Sequence, residues 1–265
     1  MNDYLQKANH FYFKGNENLN NGEYLNSIKD LLYAEQIFST HGNDESAANC
    51  LYLLSLAYSK IGQLDQAFMI TKQAYFSFKN LQDDERIAEC ALILGNYYRE
   101  RGKFRESKQF LDEAIDLFFK LKNHVKLADS WKSLGLTYQT DLVENSKYPN
   151  HIANAYKTAI EFYKKGKSNK KRAITEFDFG QMLISHSMND QAIKYLTAAY
   201  IFFSKQDDFD YTVTLSLQLG RMYLETGKKS KAKHFFNQGL TIMKKSGVDI
   251  ESIEQLQTTI DSLNI

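Results

Sequence analysis

Proline is nearly absent from this sequence. Among its 265 residues the only proline is Pro149, and proline is the residue that most strongly disrupts helix interiors. Long stretches without it therefore predict long, uninterrupted helices. Cysteine is also scarce, since the chain has only Cys50 and Cys90, whereas small secreted domains that depend on disulfides contain more. This scarcity argues against a disulfide scaffold and predicts a reduced, cytoplasmic protein.

The chain also lacks an excess of one charge and long hydrophobic runs. Its 33 lysines and arginines against 32 acidic residues give a net charge of +1, so no global field attracts nucleic acid or an anionic membrane. No segment approaches the roughly 18 consecutive apolar residues of a membrane span. The first residues show no basic segment followed by an apolar run, so no secretory signal is expected. We therefore predict neither a nucleic acid nor a membrane as partner.

Motifs for catalysis and for metal or cofactor binding are missing as well. No two of the six histidines have the spacing of a metal-binding pair, and no serine lies in a G-x-S-x-G context. Neither a phosphate-binding loop nor a dinucleotide fingerprint is present. The basic run between Lys164 and Arg172 has no interleaved aromatic platform for bases, and we interpret it as a solvated helix end. The sequence predicts no catalytic residue, no metal site and no cofactor, and hence a protein that is not an enzyme.

Internal repetition is the strongest feature that the sequence does have. Small residues recur within the apolar segments at intervals of 40 residues, with one interval of 45: Gly15, Ser55, Gly95, Gly135, Gly180 and Gly220. Large apolar residues recur at helical spacing around this small column, which predicts helices in close contact. A glycine seven residues further on, as at Gly62 and Gly102, predicts the turn that ends the first helix of each repeat. Each repeat is therefore predicted to be a helical hairpin, and stacked hairpins bury one another's apolar faces.

These columns predict one continuous domain, 1–265. Its six repeats span about 8–40, 48–80, 88–120, 128–166, 173–205 and 213–245. The insertion 141–151 accounts for the longer interval. A final helix at about 249–264, capped by Asp249, carries an apolar stripe of Ile253, Leu256, Ile260 and Leu263. Such a stripe covers the exposed end of a solenoid; the alternative is a homodimer through the same helix.

One segment makes the family resemblance specific. Trp131-Lys-Ser-Leu134-Gly135-Leu-Thr-Tyr138 carries the whole W-x2-L-G-x2-Y pattern of the tetratricopeptide repeat, and the segments that begin at Leu94 and Leu219 carry most of it. The sequence resembles this family over about residues 8–245. The resemblance implies an all-α, right-handed superhelical solenoid of six hairpins with a C-terminal capping helix. Two departures are a period of 40 instead of 34 residues and the absence of proline after every second helix.

A second, weaker resemblance rests on the longer repeat and on hairpin endings such as Phe78-Lys-Asn-Leu81. The sequence resembles the tetratricopeptide domain of the peptide-pheromone receptors of Gram-positive bacteria, of the Rap, NprR and PlcR types. Only seven residues precede the first repeat. We therefore expect neither the DNA-binding domain nor the three-helix output bundle that such receptors place before their repeats.

Candidate binding residues follow from the tetratricopeptide resemblance, because the first helices of such arrays line a concave face. The recurring small residue of each repeat is counted as position eight. Positions two, five, nine and twelve of each first helix are then expected to line the concave face. Amide side chains there both donate and accept hydrogen bonds, cations hold carboxylates, and aromatic or aliphatic residues form shallow pockets. The predicted binding residues are Tyr12, Asn16, Asn49, Tyr52, Asn96, Arg99, Lys132, Gln139, Gln181 and Arg221.

Together these features predict a peptide- or protein-binding scaffold that holds an extended peptide or a partner's segment in its concave groove. The receptor resemblance implies a role in bacterial regulation or signalling. Chaperone tails are not the expected ligand, because the Lys-x3-Asn pair of the chaperone-binding clamp is replaced by Tyr12-x3-Asn16. The alternative is a structural or assembly adaptor that binds folded partners through its convex face or loops, including the insertion 141–151.

Overall fold

The computed structural model describes residues 2–141, 149–246 and 250–263. Within these ranges the chain forms thirteen α-helices and no β-strand: α1 (Asn2–Asn20), α2 (Tyr24–Thr40), α3 (Asp44–Lys60), α4 (Leu64–Leu81), α5 (Asp84–Glu100), α6 (Phe104–Lys120), α7 (His124–Thr140), α8 (Pro149–Lys165), α9 (Asn169–Ser185), α10 (Asn189–Lys205), α11 (Phe209–Glu225), α12 (Lys229–Ser246) and α13 (Ile250–Ser262). The predicted all-α repeat fold of six helical hairpins and one further helix is confirmed. Most of the insertion 141–151 and the predicted cap Asp249 lie outside the described residues.

The chain divides into two compact units, Met1–Ala155 and Tyr156–Ile265. The first unit holds α1 to α7 and the beginning of α8, and the second holds the rest of α8 and α9 to α13. From α1 to α7 in the first unit, and from α9 to α13 in the second, each helix packs against the next one along the chain. Within the first unit, successive first helices also contact each other, α1 with α3 and α5 with α7.

The small column lies where the two helices of a hairpin come closest. A Cβ added to Gly95 would lie 2.6 Å from Cγ of Leu111, and one added to Gly180 would lie 2.6 Å from Cγ of Leu196. At Gly220 the nearest atom, on the Phe236 ring, would be 2.4 Å away. These separations are far below van der Waals contact, so the close approach of the helices requires glycine. The physical interpretation of the repeat column is thereby confirmed.

The turns between hairpins follow the same period. The side chains of Asn43, Asp83, Asn123 and Asp208 stand at equivalent positions, and each accepts a hydrogen bond from the backbone N–H three residues later. This is the bond that an amino-terminal cap makes to an otherwise unpaired donor of the first helical turn. Within the hairpins, Gly62 and Gly102 adopt φ values of +78° and +69°, where side-chain-bearing residues are disfavoured. Both kinds of turn recur in most repeats, but the fifth hairpin departs from both. Ser187 takes the glycine position at a φ of +59°, and Ser168 at the cap position makes no side-chain cap bond.

Helix α13 covers the last hairpin. Leu256, Ile260 and Leu263 are buried, and α13 packs against α12 within the second unit. Ile253, the fourth member of the predicted stripe, is partly buried. The stripe therefore packs within its own chain, as expected of a terminal cap, instead of standing exposed as a seam between two copies.

Both cysteines are free thiols in the core of the first unit. Cys50 lies on α3 and Cys90 on α5, and neither has exposed surface. Burial raises the pKa of each thiol to about 12. The thiolate is the nucleophilic form of cysteine, so both residues act as small packing residues.

We expect neither cysteine to react with iodoacetamide at pH 7 while the protein is folded. The folded-state pKa is raised above the ordinary value of 9.0, so the stability contributed by the protonated thiols is complete below pH 9. That stability is lost as the pH rises from 9 towards 12, by at most roughly 1.4 kcal/mol per pH unit for each thiol. Mass spectrometry of alkylated protein, with a denatured sample as control, checks the reactivity; prompt modification of the native protein would contradict it.

Glu176 on α9 is a buried charge at the repeat position where Trp131 stands on α7. Its side chain is 9% exposed, its Oε1 lies 3.6 Å from Nε of Arg172, and its Oε2 has no hydrogen-bond partner. Burial raises the pKa of this carboxyl group, and the neighbouring guanidinium only partly opposes the shift. A charged group so placed costs free energy when it is ionised.

Glu176→Gln should therefore raise the free energy of unfolding at pH 7, by on the order of 1 kcal/mol. The glutamate's pKa is raised in the folded state, so protonation stabilises the native protein as the pH falls. The advantage of glutamine should be largest at neutral pH and disappear near pH 4, close to the carboxyl's ordinary value of 4.5. Thermal melting at both pH values checks this, with Glu225→Gln at an exposed position as the control. Equal gains in stability at the two pH values would show that ionisation of Glu176 is not the cause.

Candidate functional site

The predicted binding residues all lie on first helices. Eight of the ten side chains are partly buried, Tyr52 is buried, and Arg221 is exposed. We call the surface that they occupy in each unit its first-helix face. In the first unit it carries Tyr12 and Asn16 on α1, Asn49 and Tyr52 on α3, Asn96 and Arg99 on α5, and Lys132 and Gln139 on α7; in the second unit it carries Gln181 on α9 and Arg221 on α11.

Asn96 and Arg99 hold each other in place at the middle of the first unit's face. Nη1 of Arg99 donates to Oδ1 of Asn96 at 3.0 Å, and Nδ2 of Asn96 donates to the backbone oxygen of Leu92 at 3.0 Å. The Arg99 side chain is 17% exposed and also lies 3.8 Å from Glu100. An amide group has two N–H donors and an oxygen with two lone pairs. The Asn96 amide therefore keeps one N–H and one lone pair in an orientation that is already ordered.

A charged cluster that the sequence did not predict lies on the same unit. Nη1 of Arg86 donates to Oε2 of Glu89 at 2.8 Å, and Nζ of Lys126 lies 3.4 Å from Oε1 of Glu89. The Arg86 guanidinium also lies 4.9 Å above the ring of Tyr52. Burial, together with the carboxylate of Glu89, raises the pKa of the Tyr52 hydroxyl. Glu89 is therefore shared by two cations beside the predicted face.

A sequence signal for this cluster existed. Arg86 and Lys126 stand 40 residues apart, at the same repeat position on α5 and α7. That position precedes position two by one helical turn, and the prediction counted only from position two onwards. Glu89 is itself at position two, yet its role as the shared partner of two cations depends on side-chain geometry that spacing alone does not contain.

Gln181 in the second unit pairs with a residue that was not predicted. Its Nε2 donates to Oε1 of Gln218 at 3.0 Å, and Nε2 of Gln218 donates to Oε1 of Gln181 at 2.8 Å. This reciprocal pair joins α9 to α11. Each amide still has one N–H and one lone pair for a ligand, so the pairing orients Gln181 and leaves half of its hydrogen-bonding capacity.

Arg221 borders a pocket of about 340 Å³ in the second unit. Leu217 and Leu224, which flank Arg221 on α11 at predicted inner positions, line it together with Phe236 and Met243 of α12. Leu256 and polar residues of α13 close the other side. An apolar pocket with one cation at its edge suits a small aliphatic side chain that lies next to a carboxylate.

Neither metal binding nor membrane insertion is indicated in the described part of the chain. No group of three or more histidine, cysteine, aspartate or glutamate side chains there is arranged to hold a metal ion. None of the helices in residues 2–141, 149–246 and 250–263 combines the length and apolar character that crossing a membrane requires.

Two segments of the chain match family models of the tetratricopeptide repeat, residues 87–118 and residues 213–244. They correspond to the hairpins α5–α6 and α11–α12, whose first helices carry Asn96, Arg99 and Arg221. The tetratricopeptide resemblance is thereby confirmed. A search of curated proteins found no significant match.

Solved structures extend the similarity over most of the chain. Apo RapI aligns with a TM-score of 0.66 and 14% identity, over 94% of this chain and 87% of RapI. BtubC (BKLC) from P. vanneervenii aligns with a TM-score of 0.66 and 16% identity, over 86% and 91%. A Rap protein complexed with Competence and Sporulation Factor aligns with a TM-score of 0.63 and 12% identity, over 97% and 74%. At these identities the similarity shows a shared fold, and it confirms the resemblance to Rap-type repeats at that level.

Proposed function

We propose that this protein is a binding scaffold whose first-helix face holds an extended peptide or a segment of a partner protein. The observation that carries the proposal is the ordered pair on α5, in which Arg99 donates to Asn96 and the Asn96 amide keeps a second N–H and a lone pair. One structural relative is a Rap protein complexed with Competence and Sporulation Factor, which supports a ligand of this class. By the same analogy the role lies in bacterial regulation or signalling, and the two free thiols favour the cytoplasm.

Recognition would use the chemistry of an extended backbone. Such a backbone presents N–H and C=O groups without internal partners, and the amides of Asn16, Asn49 and Asn96 can pair with both kinds of group. Arg99 and Lys132 would bind an acidic side chain or a free carboxylate through charge-assisted bonds. The cations Arg86 and Lys126 at the edge of this face favour an acidic ligand further.

Selection from a random library of extended peptides tests the proposal. The folded protein should enrich sequences that contain aspartate, glutamate or a free carboxyl terminus. Raised salt should weaken their binding, because partly exposed charge pairs are screened. If no sequence is enriched, or if the enriched peptides are basic, the first-helix face is not an acidic-peptide site.

A further inference from the structure

A second open surface lies in the first unit, on the second helices. Helices α2 and α4 flank a groove of about 700 Å³ whose floor is formed by α3. We call it the second-helix groove. The floor includes the buried residues Ala47, Ala48 and Leu54, while Leu32 on one wall and Leu81 on the other remain 44% and 38% exposed. The groove therefore offers apolar surface to a partner.

Two other pairs of neighbouring second helices fill the equivalent space with their own side chains. Between α4 and α6, the hydroxyl of Tyr75 donates to Oε2 of Glu113 at 2.7 Å, and its ring centroid lies 5.5 Å from that of Phe110. Between α10 and α12, the ring centroids of Tyr200 and Phe235 lie 5.3 Å apart. In the second-helix groove these repeat positions hold other residues. Glu35 occupies the position of the two tyrosines, and Ile70 occupies the position of the two phenylalanines.

Ser77 is the clearest departure from the repeat. It lines the second-helix groove from α4, and the equivalent positions of the four following hairpins all carry large apolar residues: Leu117, Phe162, Phe202 and Ile242. Ser77 leaves the α4 wall of the groove without the bulky side chain that those hairpins carry at this position. The lining is mixed, with seven apolar residues and six polar or charged ones, and a cleft of this size can hold a ligand that is itself amphipathic.

The charge of the groove is negative. Glu35 and Asp44 are the charged residues that line it, and no lysine or arginine is among its described lining residues. Oε1 of Glu35 accepts a hydrogen bond from Ser39 at 2.6 Å, which holds the carboxylate on the α2 wall. At the far end, the acidic run 83–85 follows Leu81 in sequence. Complementary charge steers the choice of partner, so the matching segment is basic.

The walls also favour a helix over an extended chain. The backbone groups of α2, α3 and α4 are hydrogen-bonded within their helices, so they offer no edge to which a strand could add. A helical segment satisfies its own backbone and needs only a row of apolar side chains to fill the groove. The wall from Ile70 to Leu81 runs about 16 Å at 1.5 Å per residue, which accommodates about three helical turns.

We propose that the second-helix groove binds an amphipathic helix of a partner protein. The helix places aliphatic residues at positions i, i+3 or i+4, and i+7 on the groove floor, between lysines or arginines that face Glu35 and Asp44. This surface is distinct from the first-helix face, and the two can be occupied independently.

Selection from a displayed library of helical peptides tests the proposal. The wild-type protein is the positive target, and the Ser77→Leu variant is used for counter-selection. Ser77→Leu restores the side chain of the equivalent Leu117, so it should fill the groove without loss of thermal stability. Counter-selection also removes peptides that bind the first-helix face. If no helical peptide survives, the proposal of peptide binding at the first-helix face is therefore unaffected. The expected survivors carry an aliphatic stripe flanked by lysine or arginine.

Fluorescence anisotropy with one selected peptide then measures the contributions to affinity. Ser77→Leu and Glu35→Lys should each weaken binding at least tenfold. Gln36→Leu, which adds the same side chain at an exposed position of α2 outside the lining, should change it less than twofold. Acidic or extended survivors, the absence of survivors, or binding unaffected by Ser77→Leu would each overturn the proposal.

Discussion

Replacement of Gly95 by valine is expected to lower the free energy of unfolding by at least about 2 kcal/mol. A Cβ at this position would lie 2.6 Å from Cγ and 2.8 Å from Cδ2 of Leu111, and 3.3 Å from the backbone oxygen of Ser107. Leu111 has no exposed surface, so it has no space into which it can turn. The new side chain therefore has to push α5 and α6 apart.

Thermal melting followed by circular dichroism measures this effect, and a loss of 2 kcal/mol corresponds to a fall of roughly 4–8 °C in Tm. Glu100→Val is the matched control, because it puts the same β-branched residue on α5 at an exposed position. Its Tm should stay within about 2 °C of the wild type. If both variants had the same Tm as the wild type, the assignment of the small column to the helix contact would be wrong.

The double variant Asn96→Ala/Arg99→Ala is expected to bind an acidic peptide with an affinity at least tenfold lower than that of the wild type. Hydrogen bonds to charged groups contribute roughly 1.5–3 kcal/mol each, and about 1.4 kcal/mol corresponds to a factor of ten. The fold should be retained, because both side chains are only partly buried and neither belongs to the packing columns. Isothermal titration calorimetry with a peptide from the extended-peptide library provides the measurement.

Arg105→Ala/Gln109→Ala is the matched control for this pair. It removes one guanidinium and one amide from exposed positions of α6, with the same change in net charge. Its affinity should remain within about twofold of the wild type at equal ionic strength. Equal losses in both double variants would mean that net charge, and not the first-helix face, governs binding.

Most of the fold was predictable because each structural requirement recurs at the same position of several repeats. Gly15, Gly95, Gly180 and Gly220 share one column and one steric cause, and the capping residues Asn43, Asp83, Asn123 and Asp208 share another. A pattern that is local and periodic can be read without coordinates. The scarcity of cysteine likewise argued against a disulfide scaffold, and both Cys50 and Cys90 are free.

The site was only partly predictable, because its chemistry depends on which side chains meet. Spacing placed Asn96 and Arg99 on one face, but it could not show that they bond to each other. The reciprocal pair of Gln181 and Gln218, and the two cations that share Glu89, likewise depend on rotamers of residues on different helices. The second-helix groove was missed for the opposite reason: Ser77 breaks a column that the prediction did not follow.

Photo-crosslinking of a bound peptide tests the central claim most directly. A benzophenone amino acid is placed in turn at Asn49 and Lys132 on the first-helix face, and at Lys29 and Gln109 on exposed positions of the second helices. An acidic peptide selected by the wild-type protein is added, and its attachment sites are identified by mass spectrometry. We predict cross-links from positions 49 and 132 and none above background from positions 29 and 109. Cross-links from the second helices alone would contradict the account.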